Sequence, residues 1–180
     1  MPKILNNVRE DILKVARDTL INSGYSKISM REIAVKCGIG TGTMYNYFKS
    51  KQEIITCILN SDWATMIRRM ENSNKTNHES INKLEFIFTE LSFFMNHTHN
   101  IWNENLFDEL DVTQLCKAKE RREVSSIQLS NIVLEAINKN ICYEKDDFLS
   151  DLLTGLFLSF ANKSDIEFEK LKPYIIKLLN

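Results

Sequence analysis

Apolar residues recur at spacings of three and four along almost the whole chain, which is the period of an amphipathic α-helix rather than of a strand. Only five Gly and two Pro interrupt the 180 residues, so few breaks are expected. We therefore predict an all-α fold. The expected helices lie at about 7–23, 29–36, 41–48, from Ser50 to a polar loop at 72–77, and at 78–97, 100–119, 121–140, 146–161 and 165–179.

Several helix ends are marked by local chemistry. Gly24 follows the first apolar stripe and suits a helix C-terminus. Three segments have the form of a capping box, in which a Ser oxygen accepts a backbone N–H and a Glu three positions later reaches back. These predicted boxes are Ser29 with Glu32, Ser50 with Glu53, and Ser164 with Glu167.

Residues 30–49 fit two short helices that cross at a steep angle. Such a crossing needs a small residue where the backbones approach, and Ala34 provides one. The turn between the helices needs a residue that tolerates positive φ, and Gly38 follows four positions later. Apolar residues are expected to face inward around these points, namely Ile33, Cys37, Ile39, Met44 and Tyr47. The spacing predicts a helix-turn-helix.

The second helix of this motif, about Thr41 to Phe48, would be a recognition helix in the major groove of DNA. Gly42 would let its N-terminus lie close to the duplex, while Thr43 and Asn46 could meet base edges. Tyr45 and Lys49 suit phosphate oxygens, although Tyr45 could instead pack between helices and Lys49 could simply be solvated. The predicted DNA-binding set is Ser29, Arg31, Thr41, Gly42, Thr43, Tyr45, Asn46, Lys49 and Lys51.

Charge is unevenly distributed, although the whole chain carries a net charge of only -1. Residues 1–52 hold nine Lys/Arg against four acidic residues, a net of +5, whereas residues 53–180 hold 14 basic and 20 acidic residues, a net of -6. A basic segment joined to an acidic body would direct only that segment towards phosphate. Chance clustering of charges would give the same count.

The N-terminal third resembles the DNA-binding domain of the TetR/AcrR family of transcriptional regulators. The resemblance rests on Arg9, Ile12-Leu13, Ala16, Gly24-Tyr25, Ser29-Met30, Ile33-Ala34, Cys37-Gly38-Ile39-Gly40-Thr41-Gly42-Thr43-Met44-Tyr45, Tyr47-Phe48, Lys51 and Ile54. The chain departs from the family pattern at Leu20-Ile21, where Leu-Phe is common. Asn46 occupies a position that varies with the operator.

The resemblance implies a cytoplasmic homodimeric repressor that binds a double-stranded DNA operator and is released by an unknown small-molecule effector. It implies a DNA-binding domain at 1–52 and a helical regulatory and dimerisation domain at 53–180. A dimer interface is expected at Ile127, Leu134, Leu149, Leu152, Gly155 and Leu156.

Two features of the second part agree with this expectation. The helix at 146–161 is apolar almost all round, so it needs cover on two sides, either from a partner or at the centre of a monomer. A hydrophobic or amphipathic effector could be held by aromatic and flexible side chains, which could equally be plain core. These are Trp63, Met66, Met70, Phe86, Phe93, Phe94, Trp102 and Phe107.

Other classes of function find little support in the sequence. The four cysteines, 37, 57, 116 and 142, are far apart, form no metal or redox motif and are expected to be reduced apolar fillers. His97 and His99 would point apart on a helix, so no metal or other cofactor is expected. No apolar run is long enough for a membrane span.

No nucleophile with a base, paired carboxylates or phosphate-binding glycine loop indicates an enzyme. The remaining alternative is a ligand-independent DNA-binding or DNA-organising protein with the same N-terminal part.

Overall fold

The computed structural model describes residues 7–103, 112–137, 143–163 and 165–179, with backbone only at 99–103, 112–115 and 143–146. Within these ranges the regular structure is helical throughout, which confirms the all-α prediction. The helices are α1 (Val8–Ser23), α2 (Met30–Cys37), α3 (Thr41–Tyr47), α4 (Lys51–Asn74), α5 (Ser80–Asn103), α6 (Val112–Ile137), α7 (Tyr143–Phe160) and α8 (Phe168–Leu179), with a 3₁₀ turn at Tyr25–Lys27.

The predicted helix at 100–119 is wrong as a separate element. Residues 100–103 continue α5, and residues from Val112 onwards belong to α6, which runs without a break through the expected gap at residue 120. Six of the seven residues from Lys117 to Glu123 are charged. An exposed stretch of this kind carries little apolar periodicity, yet Lys, Arg and Glu are good helix formers and continue the helix.

Two of the three predicted helix starts are confirmed by the bond that the Ser side chain accepts, although Glu53 reaches back to the Lys49 N–H rather than to Ser50. The Ser29 side chain accepts the Glu32 N–H at 3.5 Å, and the Ser50 side chain accepts the Glu53 N–H at 3.2 Å. The third prediction is wrong in position, because α8 begins at Phe168. Ser164 lies outside the described residues.

The chain divides into two compact units, and the division falls inside α4, between Asp62 and Trp63. The first unit extends to Asp62, and most of the chain from Trp63 onwards forms the second unit. The domain boundary expected between residues 52 and 53 stays a prediction.

The first unit has its own apolar core, built where α1, α2 and α3 meet the first half of α4. Its largest fully buried side chains include Tyr25 and Phe48, and Ile12, Met44 and Ile54 join them. The Arg17 guanidinium pairs with the Asp62 carboxylate at 2.5 Å, which fastens α1 to α4 inside this unit.

The second unit has a separate core centred on aromatic side chains. Phe88 of α5 meets Phe157 of α7 edge to face, with ring centroids 5.4 Å apart, and Phe168 of α8 lies 5.9 Å from Phe88. Leu129 and Val133 of α6 are fully buried in the same cluster. Offset and edge-on ring pairs are the favoured arrangement, and the cluster contains side chains from five helices, α4 to α8.

Candidate nucleic-acid interface

The turn between α2 and α3 has the geometry that the sequence predicts. Ala34 is completely buried, as expected for the position where two helix backbones come close. Gly38 adopts a left-handed conformation with φ of 69°, and the Ile39 N–H then bonds to the Ala34 carbonyl at 3.0 Å. A left-handed C-cap ends α2 abruptly and lets α3 begin three residues later at a new angle.

Most of the predicted DNA-binding residues are exposed on α3 and on the segments beside it. The exposed members of the set are Arg31, Thr41, Gly42, Thr43, Tyr45, Asn46 and Lys49. Ser29 and Lys51 are half-buried, because Ser29 caps α2 and the Lys51 ammonium lies 4.3 Å from the centre of the Tyr25 ring.

One inward assignment in this motif is wrong. Tyr47 was expected to face the core with Met44, but 41% of it is exposed, while Met44 and Phe48 are completely buried. At 100° per residue, Met44 and Phe48 lie one turn apart on the same face, and Tyr47 is displaced to its edge. Tyr45 is also exposed, at 48%, so packing between helices does not bury it. The exposed surface of α3 therefore carries two tyrosines.

No contact within the described part of the chain requires a glycine at position 42. A Cβ built at Gly42 would meet nothing within 4 Å, and its φ is not in the left-handed region. Gly38 differs, since its positive φ itself favours glycine. The space beside Gly42 is consequently open to a molecule outside the chain.

The end of α3 is tied to the start of α4 by contacts that the sequence did not predict in this form. The Glu53 carboxylate accepts the Lys49 N–H at 2.6 Å, and the Lys49 ammonium donates to the Tyr45 carbonyl at 3.0 Å. The second contact supplies a positive charge and a donor at the C-terminal end of α3, where carbonyl groups lack helical partners. Lys49 is exposed, as a phosphate-binding side chain must be.

The role of Arg9 could not be recognised from the sequence pattern. Its guanidinium carbon lies 5.1 Å from the centre of the Phe48 ring, and its Nη2 atom donates to the Cys57 sulfur at 3.4 Å. The sequence separation of 48 residues between Arg9 and Cys57 left no periodic or spacing signal for this contact.

The residues expected to bind an effector are brought together only in part. Met66 and Met70 are buried in the core of the second unit, and Trp63 packs edge to face on Phe94, with ring centroids 5.4 Å apart. The Trp63 indole N–H donates to the Gln128 side chain at 3.0 Å.

The other members of the effector set are placed differently. Phe93 is 66% exposed and stacks on His97, and Phe86 is exposed as well. Adjacent Phe93 and Phe94 must diverge on a helix, which explains the split. Phe107 lies outside the described residues, as does the side chain of Trp102.

The residues expected at a dimer interface lie on α6 and α7, which pack against each other. Ile127 is 64% exposed and Leu152 is 43% exposed, despite their apolar side chains. Gly155 is exposed with nothing within 4 Å of an added Cβ, and the remaining members, Leu134, Leu149 and Leu156, are half-buried. Val124 and Phe148, which the prediction did not include, extend the apolar surface at 65% and 72% exposure.

The expectation that all cysteines are apolar fillers is wrong for Cys116, which is exposed on α6. Cys37 and Cys57 are half-buried against the first core, and Cys142 lies outside the described residues. Burial, and secondarily the negative charge of Asp11, raise the pKa of the Cys37 thiol. Both effects disfavour the thiolate.

Membrane spans and metal clusters are both absent from the part of the chain that the structure describes. There, none of the helices combines the length and the apolar character that a membrane crossing requires. No cluster of three or more His, Cys, Asp or Glu side chains suited to a metal ion occurs among the same residues.

Comparison with known proteins places this site in a family. Residues 12–56, which contain α2, the turn and α3, match the sequence model described as "Bacterial regulatory proteins, tetR family". The "Fatty acid metabolism regulator protein" of Bacillus subtilis is 27% identical over 90 residues, which are 50% of this chain and 46% of that protein. The "HTH-type transcriptional regulator QacR" of Staphylococcus aureus is 28% identical over 100 residues, 54% of this chain and 51% of that protein. The chain is thus matched over about half the length of these curated relatives.

Solved structures extend the likeness to the whole fold. A transcriptional regulator from Cytophaga hutchinsonii superposes with a TM-score of 0.68 at 20% identity, covering 97% of this chain and 95% of that one. A TetR/AcrR family regulator from Thermobifida fusca gives a TM-score of 0.65 at 20% identity, covering 97% and 98%. FadR from Bacillus subtilis, solved in complex with stearoyl-CoA, gives 0.60 at 20% identity, covering 95% and 97%.

The exposed recognition helix and the glycine turn define a helix-turn-helix protein, and the remaining helices give it the overall fold of these regulators. Residues 12–56 thus form a helix-turn-helix domain of the tetR family of bacterial regulatory proteins, and the chain as a whole has the fold of a solved TetR/AcrR regulator.

Proposed function

We propose that this protein regulates transcription by binding a double-stranded DNA operator as a homodimer. The observation that carries the proposal is the outer surface of α3, where Thr43, Tyr45 and Asn46 are exposed beside a glycine that the fold does not require. A helix that presents short polar side chains and an open N-terminal end suits the major groove.

Electrostatics supports the same assignment. The net charge of +5 on residues 1–52 favours approach to phosphate, whereas the net charge of -6 on the rest opposes it. Arg31 and Lys49 are exposed at the two ends of the motif, where they could contact the backbone on either side of the groove. The acidic remainder would keep other surfaces away from DNA.

Selection of DNA from the host genome tests the proposal directly. Purified protein is incubated with sheared genomic fragments at low salt, retained fragments are sequenced, and the affinity for one selected fragment is measured against salt. We expect a selected motif with two half-sites and an affinity that falls steeply with salt, because phosphate contacts release counterions. Retention of no duplex at low salt would refute the proposal.

A pair of variants separates base reading from general attraction. Replacing Thr43 and Asn46 together by Ala should weaken binding to the selected fragment by about 1–3 kcal/mol for each side chain that reads a base edge. Lys14→Gln, on the exposed side of α1, is the matched control for a surface change outside α3. Equal affinities for the selected fragment in both proteins would remove α3 from the recognition surface.

The homodimer is proposed from the outer surface of α6 and α7. Ile127, Phe148 and Leu152 are exposed there, and Gly155 leaves room for a helix to approach. Apolar area of this kind gains free energy when a partner removes it from water, at roughly 25 cal/mol per Å². A two-fold pairing would also provide two recognition helices about 34–36 Å apart, as successive major grooves require.

We further propose that a hydrophobic or amphipathic effector releases the protein from its operator. Trp63 and Phe94 provide aromatic surface with one polar group, and Met66 and Met70 offer side chains that repack readily. Because FadR from Bacillus subtilis was solved with stearoyl-CoA, a long-chain acyl-CoA is the first compound to try. Effector binding would tilt α4 and change the distance between the recognition helices of the dimer.

Titration of stearoyl-CoA against the complex with a labelled selected fragment tests this part, with free coenzyme A as the control. Release by the acyl compound alone would support an acyl effector. The burial of Met66 and Met70 in a packed core favours a second candidate, a DNA-binding or DNA-organising protein without an effector. Unchanged DNA affinity with every compound that demonstrably binds would support that candidate.

A further inference from the structure

The recognition helix is too short to hold its own position. It contains seven residues, whereas isolated helices of fewer than about 12–15 residues are marginal in water. The orientation of its DNA-facing side chains must therefore come from contacts with its neighbours. At its N-terminal end the glycine turn after α2 supplies this constraint.

Phe48 holds the C-terminal end of α3. It is the C-cap residue, its N–H bonds to the Met44 carbonyl at 3.0 Å, and its side chain has no exposed surface. Any shift of this ring would turn α3 about its anchored N-terminal end. Small rotations of α3 would displace Thr43 and Asn46, and base recognition in the proposed function depends on these two side chains.

Arg9 covers this ring from α1. Its guanidinium carbon is 5.1 Å from the centre of the Phe48 ring, a distance at which a cation is attracted by an aromatic face. The same guanidinium donates to the sulfur of Cys57 on α4 at 3.4 Å. Arg9 is exposed while Phe48 is buried, so the guanidinium closes the solvent side of the ring and joins three segments.

We propose that Arg9 is a positioning residue for DNA recognition, which fixes the angle of α3 by holding Phe48 against α4. This inference rests on the proposed function, since it concerns how the same surface reads DNA. Arg9 acts through Phe48 rather than by contacting a base or a phosphate. Loss of the guanidinium should consequently harm the reading of sequence more than the attraction to DNA.

A comparison of two DNA fragments separates these effects. One is a fragment selected by the wild-type protein, and the other is a scrambled fragment of equal length and composition. Arg9→Gln should weaken binding to the selected fragment about 3- to 10-fold, the size of one cation–aromatic contact. Binding to the scrambled fragment should change no more than with Lys14→Gln, which removes one positive charge from an exposed position on the same helix.

Two further variants identify the route. Arg9→Lys keeps the charge and should recover part of the lost affinity, because an ammonium can also lie over the ring. In a Phe48→Leu background the effect of Arg9→Gln should largely vanish, as expected when one residue acts through another. Equal losses of affinity for both fragments would mean that Arg9 contacts a phosphate and would overturn the proposal. An undiminished effect of Arg9→Gln in the Phe48→Leu background would also overturn it.

Hydrogen exchange in the DNA-free protein provides a readout that does not depend on the proposed function. Arg9→Gln should speed exchange of the Phe48 amide about 3- to 10-fold, because its bond to Met44 opens more often. The Ile33 amide, bonded to Ser29 at the start of α2, should not change. Unchanged exchange at Phe48 would overturn the inference even if the protein bound no DNA. A wild-type protein that retains no fragment would instead refute the proposed function and with it the role in recognition, while faster exchange at Phe48 would still show that Arg9 holds this end of α3.

Discussion

The two compact units place opposite kinds of surface towards their surroundings. The first unit buries Met44 and Phe48 beneath α3 and leaves Thr43, Asn46 and Lys49 outside. The second unit leaves large apolar side chains of α6 and α7 outside, with Phe148 at 72% exposure. Hydrogen-bonding groups and positive charge suit a nucleic acid, while exposed apolar area suits another protein surface. One helical chain thus carries two surfaces of different chemistry.

The core of the second unit should be the most sensitive to truncation. Phe157→Ala removes a completely buried ring that contacts Phe88 and Phe168, so the free energy of unfolding should fall by about 3–5 kcal/mol. Urea unfolding followed by Trp fluorescence measures this change. The control is Tyr174→Ala on α8, where 67% of the residue is exposed, and a similar loss in both variants would contradict the described core.

The apolar surface of α6 and α7 should respond to charge through association rather than folding. Leu152→Glu places a carboxylate in the proposed dimer interface, and the dimer dissociation constant should rise by at least about 100-fold. Analytical ultracentrifugation measures the constant. Tyr174→Glu introduces the same charge at an exposed residue outside that surface and should leave the dimer intact, so equal weakening by both variants would move the interface elsewhere.

Two glycines in the first unit should behave in opposite ways when replaced by Ala. Gly38→Ala forces an L side chain into the left-handed region and should cost about 1–2 kcal/mol of stability. Gly42→Ala should raise stability by about 0.5 kcal/mol, because Ala favours a helix, yet weaken DNA binding through a methyl group facing the duplex. Thermal unfolding measures the stability of both variants, and titration measures their affinity for a selected fragment. Undiminished affinity of Gly42→Ala would argue against a close approach of α3 to the duplex.

The smallest expected difference concerns thiol reactivity in the two units. Burial and the negative charge of Asp11 raise the pKa of the Cys37 thiol, so less of this thiol is present as the reactive thiolate at pH 8. The difference in reactivity between Cys37 and Cys116 should narrow as the pH rises towards that raised pKa. The exposed Cys116 of α6 should react with iodoacetamide about tenfold faster. Peptide mass spectrometry over time measures both rates, and equal rates would show that Cys37 is more accessible than described.

Much of the first unit could be predicted from local chemistry. Ser29, Ser50 and Gly38 signal helix starts and a turn through bonds that each residue makes within four positions of itself. Tyr47 was misplaced because it lies at the edge of the buried face, where a helical wheel alone does not decide between core and solvent. Arg9 was missed because its partners are distant in sequence.

The second unit was harder to predict, for a physical reason that α6 illustrates. Its stretch from Lys117 to Glu123 is mostly charged and exposed, so the apolar period that marks a helix is absent there, although the helix continues. In α5, Phe93 and Phe94 look equivalent as aromatic residues, yet Phe93 is mostly exposed and Phe94 packs on Trp63. The residue types alone identify candidates for a pocket, and only the packing shows which of them are buried and which are exposed.

The helical class, the helix-turn-helix with its glycine turn, and the resemblance of the N-terminal part to a family could be predicted from the sequence, because these depend on residues close together in the chain. The folded structure was needed to show which aromatic side chains are buried, how Glu53 and Arg9 brace the C-terminal end of α3, and which apolar residues of α6 and α7 remain exposed. Those outcomes depend on contacts between distant segments, and burial is a property of the folded surroundings rather than of a residue type.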